Sequence, residues 1–498
     1  MPIKIFIVLS VIIAAQIIQL YQVKYISANI DEIKYITAAR NLIKNPDWSD
    51  VYERLHPPMM YYLANIYSNY ATVGDVNSQL FWARFPIILL FPFFALAVFF
   101  IAMSIYGFLA ALLALTLFLF NPEILAHSRF ITPDFISSFG FLLSVFSFSY
   151  FISTRTLKAA IILGICLGFT LLTKYTALVL FPFILVYILF VTKKEEFMKV
   201  SGSLAISFAI SIFILNAAYL FHGSLQIPNY FESSILSLLS NSPLRLVLYL
   251  FPKPFLMGLD LQFKTSSGGW WGWFWGQQYI KAPWYVFPAT FIIKTPLPLL
   301  ILILFVFIFG LRKGFIRSKT ETVFLFFTII FTWYMSFVNH IAIGLRYLLP
   351  IYPFIFILAS KIVIYRPKSV VRHRTFDFVL IFLICWYVIK TVTIAPHFLE
   401  YVNEGFGGPN NAYKYFVDSS LDWGQNNLFL QSYIASHPDV KVEPQIPETG
   451  IIIVDVNNYN LWKYGNFEWL RRLDKKPVGN IGYTWLIFNL TQKDMEKL

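Results

Sequence analysis

Eleven apolar stretches recur along the chain, at about 3–20, 85–104, 107–124, 135–152, 159–173, 175–192, 200–221, 284–310, 322–338, 341–363 and 377–395. A hydrocarbon core is crossed by roughly 17–25 helical residues, and within it only helices or closed barrels satisfy their own backbone hydrogen bonds. The stretches are continuous rather than alternating, so the chain reads as an all-α polytopic membrane protein. Those at 107–124 and 159–173 are short and fit tilted or partly re-entrant segments. Composition agrees: 58% of the 498 residues are hydrophobic and 13% charged, against about a quarter charged in soluble domains.

Lys4 ahead of the first stretch resembles the start of a signal peptide. No convincing small-residue cleavage site follows, so the stretch reads as a retained anchor. The two cysteines, Cys166 and Cys385, lie in apolar runs and form no disulfide framework. A net charge of +13 raises nucleic acid as a partner. The basic residues are scattered over short loops without interleaved aromatics, which argues against it.

That scatter carries orientation instead. Lys4, Arg155, Lys158, Lys193, Lys194, Lys199, Arg312, Lys313, Arg317, Lys319, Lys361, Arg366, Lys368, Arg372 and Arg374 fall on one side. Excess Lys and Arg mark the cytoplasmic face. The opposite side holds the charge-balanced 21–84 loop, the 222–283 loop and the tail. The expected arrangement is a cytoplasmic N-terminus, a membrane body over 1–395, and an extracytoplasmic tail over 396–498. The tail is more polar and reads as a small α/β domain, with a helix over 411–435 and strands at Ile451–Val456 and Tyr483–Leu490.

The notable polar groups at span ends collect on the outer face: Asp31 and Glu32, then Arg129 and Asp134, Lys174, Lys294, Asn339, His340 and Arg346. Carboxylates where a chain leaves the bilayer are costly unless solvated, paired or used. Asp31-Glu32 also suits a helix N-terminus, as does Thr132-Pro133-Asp134. His56-Pro57-Pro58 suits a turn before a helix at 59–70. Lys174 and Arg346 read as snorkelling cations or as phosphate donors; the charge bias does not place them on this side. Trp270, Trp271, Trp273 and Trp275, set among glycines, read as an interfacial belt or as a sugar or acceptor platform. The histidines are dispersed and no zinc-like spacing occurs. A divalent metal held by Asp31, Asp134 and His340 stays open.

Taken in order, Asp31-Glu32 after the first span, His56-Pro57-Pro58, Arg129-x-x-Thr132-Pro133-Asp134 and Leu171-Leu172-Thr173-Lys174-Tyr175-Thr176 resemble the dolichyl-phosphate-mannose protein mannosyltransferases. This is glycosyltransferase family 39, which includes the bacterial lipid A aminoarabinose transferase. Lys294-Thr295-Pro296, Gly344-Leu345-Arg346-Tyr347 and the block from Asp418 through Asp422 to Gln425 look like later family motifs. The resemblance implies a GT-C architecture with interfacial helices in the first outer loop, and a polyprenyl-phosphate sugar donor. It also implies an acceptor that is a lipid, glycan or protein, and no required cofactor. Asp31 becomes the catalytic carboxylate and Glu32 its support. Lys174, Arg346, His56 and Lys294 become donor-phosphate ligands, with Arg129, Asp134 and His340 supporting the site. The position before Pro57-Pro58 is lysine in the aminoarabinose transferase and His56 here, which disfavours an aminoarabinose donor.

The implied reaction is an inverting displacement with Asp31 as general base. Two other classes stand beside it: a polytopic transporter or lipid flippase, and a non-catalytic subunit of envelope glycan synthesis. Transporters tend to repeated halves and broken helices at mid-membrane, whereas the polar groups here gather at one face. Few Gly and Ala beside abundant Phe, Ile and Lys suit an AT-rich prokaryotic genome, and the expected location is the plasma or inner membrane of a prokaryote.

Overall fold

The computed structural model describes residues 2–44, 48, 55–72, 74–191, 194–310, 316, 318–364, 370–461 and 467–498. Six of the orientation residues, Lys193, Arg312, Lys313, Arg317, Arg366 and Lys368, lie outside the described residues. The first loop follows α1 (Pro2–Gln22) and carries α2 (Ile30–Lys44) and α3 (Met59–Asn65). The body continues with α4 (Val76–Tyr106), α5 (Phe108–Leu119), α6 (Pro122–His127), α7 (Pro133–Thr154), α8 (Leu157–Leu171), α9 (Leu180–Val191) and α10 (Lys194–Ala218). The segment after α10 holds α11 (Ser234–Ser240), α12 (Arg245–Leu248), α13 (Lys253–Gly268) and the hairpin β1 (Gly272–Phe274) and β2 (Gln277–Tyr279). Then come α14 (Val286–Lys294), α15 (Leu297–Gly310), α16 (Lys319–Phe337), α17 (Tyr352–Ser360) and α18 (Val370–Thr393).

Every one of the eleven apolar stretches is helical. Among the described residues, seven helices are long and apolar enough to cross a membrane, and eight if one bent pair counts as a single span. The three others, around 108–119, 157–171 and 175–190, are shorter apolar helices. The stretch expected at 284–310 is not one straight helix: α14 and α15 meet at 116°. Pro296 and Pro298 remove backbone donors just there. Asn403 Nδ2 donates to the freed Ile292 and Thr295 carbonyls at 2.7 and 2.9 Å, which closes the broken end.

α4 has 31 residues, roughly 46 Å at 1.5 Å per residue, more than the ~30 Å core requires. Its first turns therefore stand outside the apolar stretch and carry Arg84 to Glu32 of α2. Asp75 caps it by accepting from the Asn77 and Ser78 amides.

In the tail, α19 (Asn427–Ser436) is the only part of the expected 411–435 helix that is α-helical; Pro409–Lys414 and Asp418–Ser420 are 3-10 turns. Gly407, Gly408 and Gly424 all have left-handed φ, which interrupts a helix there. β3 (Lys441–Val442), β4 (Gly450–Asp455), β5 (Gly479–Ile481) and β6 (Trp485–Leu490) form a sheet of order β3-β4-β6-β5. α20 (Val456–Asn460) follows β4, and α21 (Glu468–Arg472) and α22 (Gln492–Met495) complete the tail. Ile452 and Val454 face one apolar cluster and Ile453 the other, the period-2 pattern of a doubly covered strand. Phe398, Leu399, Tyr401, Val402, Phe416, Leu421 and Trp423 belong to the body's core, so the chain between residues 398 and 423 is laid onto the helices.

Candidate active site

Four charged side chains from four elements meet at one end of the helical body. Asp31 stands in the first turn of α2, Asp134 in the first turn of α7, Lys174 after α8, and Arg346 in the 3-10 turn Leu345–Ile351 ahead of α17. Arg346 Nη1 lies 3.6 Å from Asp31 Oδ2 and 3.6 Å from Asp134 Oδ2, and Lys174 Nζ lies 2.7 Å from Asp134 Oδ1. The charges alternate along this chain, minus, plus, minus, plus, so each is compensated without being consumed. Asp134 is buried, whereas Asp31 is 32% exposed and reaches solvent.

Lys174, Asp134 and Arg346 line a cavity of about 480 Å³ together with Tyr35, His56, Tyr175, Gln262, His340 and Tyr347. Aromatic rings stand beside both cations. Lys174 Nζ sits 4.4 Å from the Tyr347 ring centroid, and the Arg346 guanidinium 4.0 Å from that of Trp423. Arg346 Nε and Asp134 Oδ2 are buried without a hydrogen-bond partner. A guanidinium with an unused N–H beside an ammonium offers donors that phosphate oxygens can accept from. His56 contacts Tyr35 Oη at 3.1 Å through Nε2, and its Nδ1 is unpartnered. Burial and the nearby Lys174 push the imidazole down to about 3. His56 is therefore a neutral hydrogen-bonding group rather than a third cation.

Glu32 does not face this cavity. It is fully buried in a two-point pair with Arg84: Nε donates to Oε1 at 2.8 Å and Nη2 to Oε2 at 2.6 Å. It also accepts from the Asn29 and Ile131 amides at 2.9 and 2.8 Å. Asn29 Oδ1 in turn accepts from the Asp31 and Glu32 amides, a reciprocal cap at the start of α2. Glu32 thus fixes the helix from which Asp31 projects.

Lys294 and Arg129 are likewise drawn into the packing. Lys294 Nζ is 2.6 Å from Glu123 Oε1 and donates to the Leu399 and Ser420 carbonyls at the α14–α15 break. Arg129 is buried over Phe130 and Phe398 and donates to the Pro396 carbonyl. His340 does line the cavity. The tryptophan stretch forms the β1–β2 hairpin, with Trp270 and Trp275 exposed. It rests on the 342–344 and 415–418 strands of chain, through Tyr279 Oη to the Ala342 carbonyl and the Trp275 amide to the Tyr415 carbonyl. The tryptophans flank the charged cluster and do not line the cavity. Among the described residues no three His, Cys, Asp or Glu side chains converge as a metal site.

Sequence reading assigned no site role to Arg84, Tyr35, Tyr347, Asp418 or Trp423. Arg84 left a trace, an arginine immediately before an apolar run; Tyr347, Asp418 and Trp423 stood within family-like blocks. Asp418 has a left-handed backbone, φ 50°, and burial raises its carboxyl to about 6.

An apolar helical body with carboxylates and cations converging at one end, interfacial helices in the first loop and an α/β tail laid over them is the GT-C architecture of membrane glycosyltransferases. Residues 55–219 match the family described as dolichyl-phosphate-mannose-protein mannosyltransferase, which supports a glycosyltransferase reading of this fold. The matched segment contains His56, Arg129, Asp134 and Lys174. ArnT from Cupriavidus metallidurans bound to undecaprenyl phosphate superposes at a TM-score of 0.54, with 12% identity over 98% of each chain. The same protein in its apo state gives 0.50, with 12% identity over 96% of this chain and 97% of that one. Among curated proteins no sequence match was found.

Proposed function

We propose that the chain transfers a sugar from a polyprenyl-phosphate donor to an extracytoplasmic acceptor, with Asp31 as general base. The observation that carries this reading is the alternating row Asp31–Arg346–Asp134–Lys174, whose last three members line a cavity of about 480 Å³. The likeness to a fold solved with undecaprenyl phosphate supports the donor class. The acceptor is a lipid, glycan or protein hydroxyl on the outer side, which the charge asymmetry of the loops supports.

The acceptor oxygen attacks the anomeric carbon from the face opposite the phosphate. The carbon–oxygen bond to phosphate breaks, its electron pair leaves with polyprenyl phosphate, and the configuration inverts. Asp31, a third exposed and 3.6 Å from Arg346, takes the hydroxyl proton as charge develops. The leaving phosphate gains negative charge, and Lys174 and the unused Arg346 Nε meet it with fixed positive charge and a donor. Asp134 keeps both cations in place.

The test is purified chain in liposomes with synthetic polyprenyl-phosphate sugars and an envelope lipid extract, read by mass spectrometry. Donor consumption with a new glycoside of inverted configuration is expected, and D31N should slow it by about 10²–10⁴. Solute movement without donor consumption would overturn the reading in favour of a transporter.

A further inference from the structure

Between the tail sheet and the charged cluster lies an irregular segment, 418–425, with contacts on three sides. On one side Trp423 covers Arg346 at 4.0 Å, and the Ser419 hydroxyl donates to the Ile343 carbonyl. Gly344 faces Ser419 so closely that a Cβ would lie 2.6 Å from its Oγ. On the second side the Ile30 amide donates to the Trp423 carbonyl and the Ser27 amide to the Gln425 carbonyl, both at 2.9 Å. Those two amides lead directly into the first turn of α2, where Asp31 stands. On the third side Asn457 of α20 holds both ends of the turn. Its Oδ1 accepts from the Asp418 amide at 2.6 Å, and its Nδ2 donates to Asp422 Oδ2 at 2.9 Å.

We infer that Asn457, in the tail beyond β4, is a positioning residue: it locks the 418–425 turn that sets Trp423 on Arg346 and anchors the backbone leading to Asp31. The inference rests on the proposed roles of Arg346 and Asp31 only for its kinetic consequence. Asp418 needs such a lock, because a left-handed backbone at a residue other than glycine persists only where its surroundings over-determine it. Asp422 is a suitable partner. Burial, then the neighbouring Asp455, push its carboxyl well above the usual range, so it accepts from Asn457 without demanding a counter-ion. Asp455 closes the arrangement by accepting from the Asn457 and Asn458 amides through Oδ1.

The full-length chain is compared as wild type, N457A, N457D, W423F and W423L. Hydrogen exchange reads the lock without any substrate: in N457A the amides of residues 27–31 should exchange about 10-fold faster or more. Unchanged exchange there overturns the inference, whatever the activity. With donor and acceptor, N457A should lose about 10- to 100-fold in kcat, since small misplacement of reacting groups carries such losses, while donor KM shifts less than about threefold. N457D regains a donor toward Asp422 only when its carboxyl is protonated, so its activity relative to wild type should rise as pH falls; a flat ratio counts against the lock. If N457A does not fold, the tryptophan variants decide. W423F, which keeps a ring over Arg346, should retain most of kcat and W423L should not; equal rates overturn the inference. Faster exchange in N457A with no sugar transfer by wild type would leave the lock standing and remove the glycosyltransferase assignment.

Discussion

Asp31 and Glu32 are adjacent in sequence and should respond to the same substitution in opposite ways. In E32Q one carboxylate oxygen becomes an amide group facing donors. Arg84, itself buried, keeps its bonds to the Ile26 and Ser27 carbonyls and one to the remaining amide oxygen, but loses its second side-chain acceptor and its counter-charge. Removing one partner of a buried pair costs about 3–5 kcal/mol, because the other charge is left uncompensated. Asp31 is a third exposed and shares Arg346 with Asp134, so D31N should change stability by no more than about 1 kcal/mol, the range of solvated pairs. Catalysis reverses the order. D31N should lose 10²–10⁴ in turnover, about 2.7–5.5 kcal/mol of barrier, while E32Q per folded molecule should lose less than about tenfold. The assay is equilibrium unfolding of the purified chain in one detergent, with turnover measured on the same preparations. A double variant, E32L with R84L, should recover much of the lost stability, since apolar replacement of both partners of a buried pair is often neutral. An E32Q protein as stable as wild type but 100-fold slower would refute the clamp and return Glu32 to the reacting groups.

Three further outcomes follow from the same geometry. K294M should destabilise by about 3–5 kcal/mol in the same unfolding assay, by stranding Glu123, yet leave donor KM unchanged; a raised KM with intact stability would place Lys294 at the donor. K174M and R346K should each lower kcat about 10²–10³-fold, and R346K fails despite its charge because it lacks the flat fork over Trp423; wild-type kcat in R346K would show that charge alone suffices. His56 is held near 3 when folded, below its ordinary 6.5. The unfolded chain therefore takes up a proton that the folded chain refuses, and stability falls as pH drops from 6.5 towards 3. H56Q should flatten that limb in unfolding measured across pH, and an unchanged limb would remove the assignment.

Much of the body was legible because its physics is local. A long apolar run becomes a helix in a bilayer wherever it stands, so each of the eleven stretches is helical, and β4 and β6 follow from dense β-branched and aromatic residues. The convergence of Asp31, Asp134, Lys174 and Arg346 was readable from sidedness, since span ends on one face are near one another. The helix expected at 411–435 failed because left-handed glycines and packing onto the body outweigh helix propensity there.

What the sequence by itself determined was the class of solvent and the set of charges at one membrane surface: both follow from residue type and order along the chain. Which of those charges stay free for chemistry was decided only in three dimensions. Glu32 and Lys294 meet Arg84 and Glu123 in the packed interior, whereas Lys174 and Arg346 line a cavity. A carboxylate or ammonium reads the same in sequence in either role. Its role depends on whether a partner distant in the chain neutralises it out of reach of water, and only the folded arrangement of helices supplies or withholds that partner.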